Sequence, residues 1–445
     1  MECLEKIDDY KNSVQSSSWE ELIENSGVPK NQINRIANVV SQSKGMITCW
    51  AMGITQTENA VATIREIVNL HLTRGQIGRK GAGLCPVRGH SNVQGDRTMG
   101  IWEKMPKSFH DSLDSHFNFK SPRKHGYDVV NSIKAMDSGE VGVFFCMGGN
   151  FISATPDTRF TANALSKVDL VVQVSTKLNR SHAVTGKEAL ILPCLGRTEL
   201  DVQNSGEQFV SVENSMGIVH MSRGNLKPAS KSLKSEPWIV ANLADKTLDD
   251  SPIAWIDLID SYDNIRDLMA ESLYGFEDYN SRVRDGNGFY LPNPPRDSRT
   301  FETNDGKAHF TTHGLPSLDV ESDQYVMMTL RSHDQYNTTI YGLDDRYRGI
   351  KGNRRILMMN SNDMLDRNWK TRQMIDITSH FESETRVSKN WLVIPYEIPS
   401  GNIAAYFPEA NELVPLNSTA ELSNTPTSKW IVCSLGESNN SDEEE

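Results

Sequence analysis

VGVFFCMGGN at residues 141–150 and DLVVQVST at 169–176 decide the fold. Each is a short, continuous apolar run, the pattern of a strand covered on both faces. The first breaks into a glycine pair, and a helix is predicted from Asp157 to Lys167 before the second begins. Strand, helix and strand in that order form a βαβ unit with parallel strands. ALILP (189–193) is a further strand that stops at CLGRTELD, and GMITCWA (45–51) is an earlier one that gives way to MGITQ. After MGITQ comes an amphipathic helix carrying Val61, Ile64, Ile67, Val68 and Leu72. Four strands thus end in a polar or glycine-rich cluster: MGITQ, MGGN, STKLNRSH and CLGRTE. In open parallel sheets ligands bind beyond the carboxyl ends of strands, where backbone N–H groups and helix N-termini point outward. The fold class is therefore α/β, and the clusters point to a phosphate-rich ligand. For any one cluster the plain alternative is a βα turn that uses glycine for its positive φ. Neither GxGxxG after the first strand nor GxxxxGK[ST] occurs, so a standard NAD site or P-loop is not supported.

Composition narrows the function classes. The chain has 445 residues, room for two or three domains, and a net charge of -12 that argues against nucleic-acid binding. No apolar run is long enough for a transmembrane helix, and the N-terminal MECLEKIDDYKNSV does not read as a secretory signal. A cytoplasmic location is the default expectation. Six cysteines at 3, 49, 85, 146, 194 and 433 are scattered without a CxxC pair, so they are expected to be reduced and mostly buried. The tail at 437–445, ending SDEEE, is expected to be disordered. Near the N-terminus, Ser18 and Glu21 make a capping-box pattern. A second helix opens at Pro29 with Ile33, Ile36, Ala37 and Val40 on one face.

CPVRGHSNVQGDRTMG (85–100) follows the glycine-rich LTRGQIGRKGAGL and is too polar for a core strand. It reads as a loop. Its glycines, Gly89 among them, permit close backbone approach, while Arg88, His90, Asn92 and Gln94 supply directional donors. Arg88 suits a bidentate anionic partner. A loop tied only by its own side chains is the alternative.

PVRGHSNVQG, taken with MGITQ, resembles the signature loops of the molybdopterin oxidoreductase superfamily that binds two molybdopterin guanine dinucleotides, especially its formate dehydrogenase branch. The resemblance extends through MGGN, STKLN, ALILP, LRSHDQYNT (330–338) and AAYFPEANELVPL (404–416), in the family's order. PCLGRTELD and VENSMGIVHMSRG are most similar to the formate dehydrogenase alpha-subunit homologues. By this resemblance Met52, Gly53 and Gln56 would touch a pterin or its pyrophosphate, with Gly89, Asn92 and Gln94 beside them. Gly148, Gly149 and Asn150 would lie on the guanosine side of one dinucleotide, and Ser175, Thr176 and Asn179 in the same nucleotide site. Arg331, Gln335, Asn337 and Thr338 match a C-terminal cofactor loop, and Asn411 a late polar contact. Arg88 and His90 are the catalytic candidates. Arg88 matches the arginine that would hold an anionic substrate, whereas His90 stands where that branch carries Gln, so formate itself is not fixed. No metal ligand is expected in the chain.

Residues 284–320, rich in Gly, Pro, Asp and Asn, read as a connection. Beyond it YVMMTL, RILMMN, QMIDIT and NWLVIPYEI predict a mostly β domain. The resemblance makes it a six-stranded double-psi barrel, with Asn360 and Asp363 either structural or in the site. The expected domains are part of one α/β cofactor domain at 1–92, a second α/β dinucleotide domain at 93–245, a connection at 246–320 and the barrel at 321–436. The family's iron-sulfur segment and its molybdenum-ligating cysteine or selenocysteine find no match here. Cys49 and Cys85 are instead expected to be buried and free.

The resemblance therefore implies the C-terminal part of an oxidoreductase, holding the bis-dinucleotide cofactor with molybdenum or tungsten. An iron-sulfur cluster is expected only in a preceding part. Partners would be a small substrate such as formate, an electron-accepting protein or subunit, and an N-terminal fragment. The alternatives are a non-catalytic module that holds or hands over the cofactor, and an α/β protein for some other nucleotide.

Overall fold

The computed structural model describes residues 4–90, 92–316, 320–336, 338 and 342–438. The chain falls into two compact units, one of Met1–Gly89, Pro292–Asp323 and Thr419–Trp430, the other of His90–Leu291, Gln324–Ser418 and Ile431–Glu445.

In the first unit, helix α1 (Lys30–Gln42) takes Pro29 as its N-cap. Ile33 and Val40 are half-buried while Ile36 is exposed, so the covered stripe is narrower than the expected face. Ahead of it, Ser18 accepts the Glu21 amide at 3.4 Å, but its hydroxyl turns to Glu20 and only half of the capping box forms. Strand β1 (Ile47–Trp50) pairs in parallel with β2 (Gly83–Pro86), placing Cys49 opposite Cys85 and Trp50 opposite Pro86. Between them run the single turn α2 (Met52–Thr55) and the long helix α3 (Ala60–Thr73). Leu72 of α3 packs with Ala308 and Phe310, partly covered by Leu4, Tyr10 and Val68. Asn69, on the same helix, binds the Thr311 carbonyl at 2.8 Å.

The second unit opens with α4 (Val93–Thr98), and α5 (Val129–Asp137) leads into β3 (Val143–Met147). Helix α6 (Thr158–Leu165) then crosses to β4 (Leu170–Ser175), and β5 (Glu188–Pro193) completes a parallel sheet of order β3-β4-β5. The predicted βαβ unit is present. Its central strand is apolar because it is covered: Val171 and Val174 have no exposed surface, and Val171 packs with Val130, Ile133, Ala164 and Leu165 of the two helices. Asp128 and Asp157 cap those helices by accepting the amides of Asn131 and Phe160. Within 246–320 the second unit forms three helices, Trp255–Asp260, Tyr262–Ser272 and Tyr279–Arg284, and the single turn Pro294–Asp297 is helical in the first. Phe276, Tyr279 and Val283 bury against Val219 and Phe289. The three helices are only six, eleven and six residues long, so no long periodic stripe announces them.

The expected barrel closes from six strands: β6 (Gln324–Leu330), β7 (Ile356–Met359), β8 (Met374–Phe381), β9 (Glu384–Pro395), β10 (Asn402–Tyr406) and β11 (Ile431–Glu437). Their order is β6-β10-β7-β9-β8-β11, with β6·β10 and β7·β9 parallel. Met327, Leu357, Met359, Trp391, Ile403 and Cys433 fill the interior. Asn360 and Asp363 both make bonds that hold the barrel's connections. Asn360 caps α7 (Ser361–Asp366) through the Asn362 amide and holds the Ile398 carbonyl, and Asp363 accepts from Ser400 and the Gly401 amide.

Candidate functional site

In the first unit the parallel register brings two predicted loops side by side. The ladder runs past the strands, the Val87 amide donating to the Trp50 carbonyl at 2.8 Å, so α2 and the Arg88 turn leave adjacent strand ends. A Cβ built on Gly89 would stand 3.6 Å from the Met52 methyl, and one on Gly53 would meet nothing. Gln56 points its amide at the Met52 sulfur, 3.8 Å away, and its carbonyl accepts from the Lys429 amide. Met52, Gly53, Gln56, Arg88 and Gly89 are therefore neighbours, and Arg88 is exposed.

In the second unit His90, Asn92 and Gln94 surround the start of α4. The sequence reads 93–98 as loop because of its glycine and polar residues, yet it is helical. Gly95 is buried there because a Cβ would fall 2.1 Å from the Asn92 Oδ1. Asn92, at φ +64°, accepts the Glu213 amide at 3.0 Å and donates to Asp96. The half-buried Gln94 offers its carbonyl to Thr98. His90 lies edge-on to Tyr336, with ring centroids 5.7 Å apart. Burial, and then the Arg331 charge, hold the His90 pKa below the usual histidine value, which keeps the ring neutral near pH 7.

His90 and the 331–338 segment, distant in sequence, thus meet. Arg331 lies 4.3 Å over the Phe407 ring, and burial lowers its pKa. Gln335 donates to the Phe407 carbonyl at 2.8 Å and accepts from the Ser332 amide and Arg354. Arg354, itself buried, pairs with Glu409 at 2.7 Å. Thr338 is buried and its hydroxyl has no partner among the described residues. Asn337 lies outside the described residues.

The third group sits at the carboxyl ends of β3 and β4. The Gly148 amide binds the Val174 carbonyl at 2.8 Å. Gly148 (φ +69°) and Gly149 (φ +78°) then turn through the left-handed region, and a Cβ on either would meet open space. Asn179 donates to the Gly149 carbonyl at 2.8 Å and accepts the Ser181 amide, while the Ser181 hydroxyl binds the side-chain oxygen of Asn150. His182 ties the cluster together, accepting the Asn179 amide through Nδ1 and meeting the Ser175 hydroxyl through Nε2 at 3.1 Å. Thr176 is exposed beside it. Asn411 donates to the Ser153 carbonyl at 2.8 Å, and its own carbonyl accepts the Asp157 amide. Sequence reasoning set His182 aside as a structural donor and missed Ser181 and Arg354. Only His182 left a signal, the three-residue spacing of a capping box with Asn179.

Open glycine turns at parallel strand ends, side-chain amides and a buried unpartnered hydroxyl are a donor set that fits a large phosphate-bearing heterocycle. Residues 31–229 match the family model described as Molybdopterin oxidoreductase. The chain belongs to the molybdopterin oxidoreductase superfamily. An uncharacterized oxidoreductase of Mycobacterium tuberculosis is 50% identical over 435 residues, which cover 96% of this chain and 56% of that protein. Protein YdeP of Escherichia coli is 42% identical over 440 residues, 97% of this chain and 58% of YdeP. A provisionally named formate dehydrogenase of Staphylococcus haemolyticus is 27% identical over 177 residues, 38% of this chain and 18% of that protein. The chain thus spans a little over half the length of the first two. Among solved structures, acetylene hydratase from Pelobacter acetylenicus superimposes with a TM-score of 0.66 at 12% identity, over 98% of this chain and 66% of the other. That likeness is one of fold, and the superfamily's α/β domains and closed barrel account for both units. Among the described residues no cluster of His, Cys, Asp and Glu could hold a metal ion, and no helix is long and apolar enough to cross a membrane.

Proposed function

We propose that this chain is the dinucleotide-gripping part of a molybdopterin-dependent oxidoreductase that oxidises a small, anionic substrate. The observation that carries the reading is the open Gly148–Gly149 turn, flanked by Asn179 and Ser175 at adjacent parallel strand ends. Gly148, Gly149, Asn150, Ser175, Thr176 and Asn179 would hold a guanine nucleotide. Met52, Gly53, Gln56, Gly89, Asn92 and Gln94 would contact pterin and pyrophosphate, and Arg331, Gln335, Asn337, Thr338 and Asn411 would supply further cofactor contacts. When bound, the molybdenum or tungsten chelate supplies a centre that exchanges two electrons with the substrate. Arg88 would bind and orient the substrate anion, and neutral His90 would donate or accept one hydrogen bond at it.

Formate is the simplest molecule that fits, and the partial similarity to a formate dehydrogenase-named protein supports that class. The electron acceptor would be a separate protein or subunit, with an iron-sulfur cluster carried outside residues 1–445. We place the second dinucleotide domain at 93–245 and the barrel at 321–436, and the free cysteines among the described residues fit a reducing cytoplasm. A non-catalytic cofactor-holding module is the second reading.

Arg88→Ala in the complete enzyme tests the catalytic reading. Turnover is expected to fall by about a hundredfold or more while pterin content stays constant, the signature of lost charge stabilisation at substrate. Unchanged turnover removes Arg88 from the reaction.

A further inference from the structure

Cys49 and Cys85 contradict the expectation that both are buried. Cys49 is exposed, Cys85 is half-buried, and both thiols are free. They are also direct partners in the parallel register of β1 and β2, so their side chains leave the same face of the pair. Paired strands lie roughly 4.8 Å apart, inside the span of roughly 4.4–6.8 Å that a disulfide bridges between Cα atoms. From these two observations we propose that Cys49 and Cys85 form a reversible disulfide, a modification site that ties together the stems of the 52–56 and 87–89 loops.

Burial, and then the Cys49 sulfur beside it, push the Cys85 thiol pKa up. That assigns the order of events, because the exposed Cys49 meets an oxidant first and Cys85 resolves. With hydrogen peroxide as the oxidant, the Cys49 thiol gives up its proton, the thiolate attacks one peroxide oxygen to become a sulfenic acid as the O–O bond breaks, and the departing hydroxide takes that proton and leaves as water. The Cys85 sulfur then attacks the Cys49 sulfur. The S–S bond forms as the S–O bond breaks, and the departing hydroxide takes the Cys85 proton to leave a second water. Two electrons pass from the thiols to the peroxide, and a dithiol returns them on reduction. The other described cysteines have no such neighbour: Cys194 and Cys433 are buried, and burial raises the Cys146 thiol pKa. Because only the strand pairing is needed, this inference is independent of the cofactor assignment.

The test uses the full chain, exposed to hydrogen peroxide, trapped with N-ethylmaleimide, digested without reduction and mapped by mass spectrometry. One peptide pair joining Cys49 to Cys85 is expected. It should lie two hydrogens below the summed thiol masses, disappear with dithiothreitol, and accompany a fall of about tenfold in maleimide labelling at both positions. In Cys85→Ser, Cys49 should accumulate as a sulfenic acid trapped by dimedone. Cys49 joined instead to another cysteine or another chain overturns the proposal, as does Cys49 passing to sulfinic acid while Cys85 stays open to alkylation.

Discussion

Arg354 shows how the proposed cofactor loop is stiffened from behind. Its guanidinium, 5% exposed, binds Glu409, the Gln335 side chain and the Phe407 carbonyl at once. Removing it strands a largely buried carboxylate and frees Gln335, so Arg354→Ala should cost about 3–5 kcal/mol, read as a lower urea midpoint with an unchanged slope. Nothing in GNRRIL foretold this, because one arginine of an adjacent pair carries no period and no motif. Gln335 was legible through its motif, and Arg354, which holds it, was not. Asn92 shows the converse. As a donor in a polar glycine-rich stretch it was readable, but its bonds to the Glu213 amide and Asp96 depend on a left-handed backbone and a distant strand that one-dimensional spacing does not encode.

At the scale of elements, strand ends were the most legible feature, since a covered parallel strand must be apolar and must stop where the backbone turns. Gly148 tests that turn. Gly148→Ala has room for its methyl but not the favoured φ, so it should cost about 1–2 kcal/mol and lower the guanine nucleotide retained by purified protein. Helix α3 carries a second test. His71 is fully buried, its Nε2 2.7 Å from the Thr48 hydroxyl of β1, and burial lowers its pKa. The unfolded chain protonates near pH 6.5, before the folded one does. It therefore binds more protons below that pH, and stability falls as acid is added. His90 adds to the same slope. Denaturation of His71→Gln from pH 7 to pH 5 should show a shallower loss than the parent, and an equal loss would clear His71. The helices between Trp255 and Arg284 were not legible, because helices of six to eleven residues complete too few turns to show a sustained period.

At the scale of the whole molecule, the second unit depends on bonds across long sequence separations. Arg386 of β9 pairs with Asp157 at the start of α6 at 2.7 Å, both side chains about 15% exposed or less. Asn411 reaches Ser153, and Leu416 enters the core under the parallel sheet. The barrel and the βαβ layers should therefore unfold together. A double-mutant cycle of Asp157→Ala and Arg386→Ala should give a coupling of about 1–3 kcal/mol, whereas additive losses would show the pair to be incidental. The sequence foretold both layers but not their stitching, since an aspartate and an arginine so far apart share no local pattern.

The central claim is that the glycine turn, the strand tips and the barrel loop grip a molybdopterin guanine dinucleotide. Purified protein, oxidised in acid and analysed for fluorescent pterin and released guanine nucleotide, tests it most directly. Pterin and guanosine monophosphate in fixed proportion, both diminished in Gly148→Ala, are the predicted result. A preparation of the complete enzyme that yields neither, or yields a different nucleotide without pterin, contradicts the account.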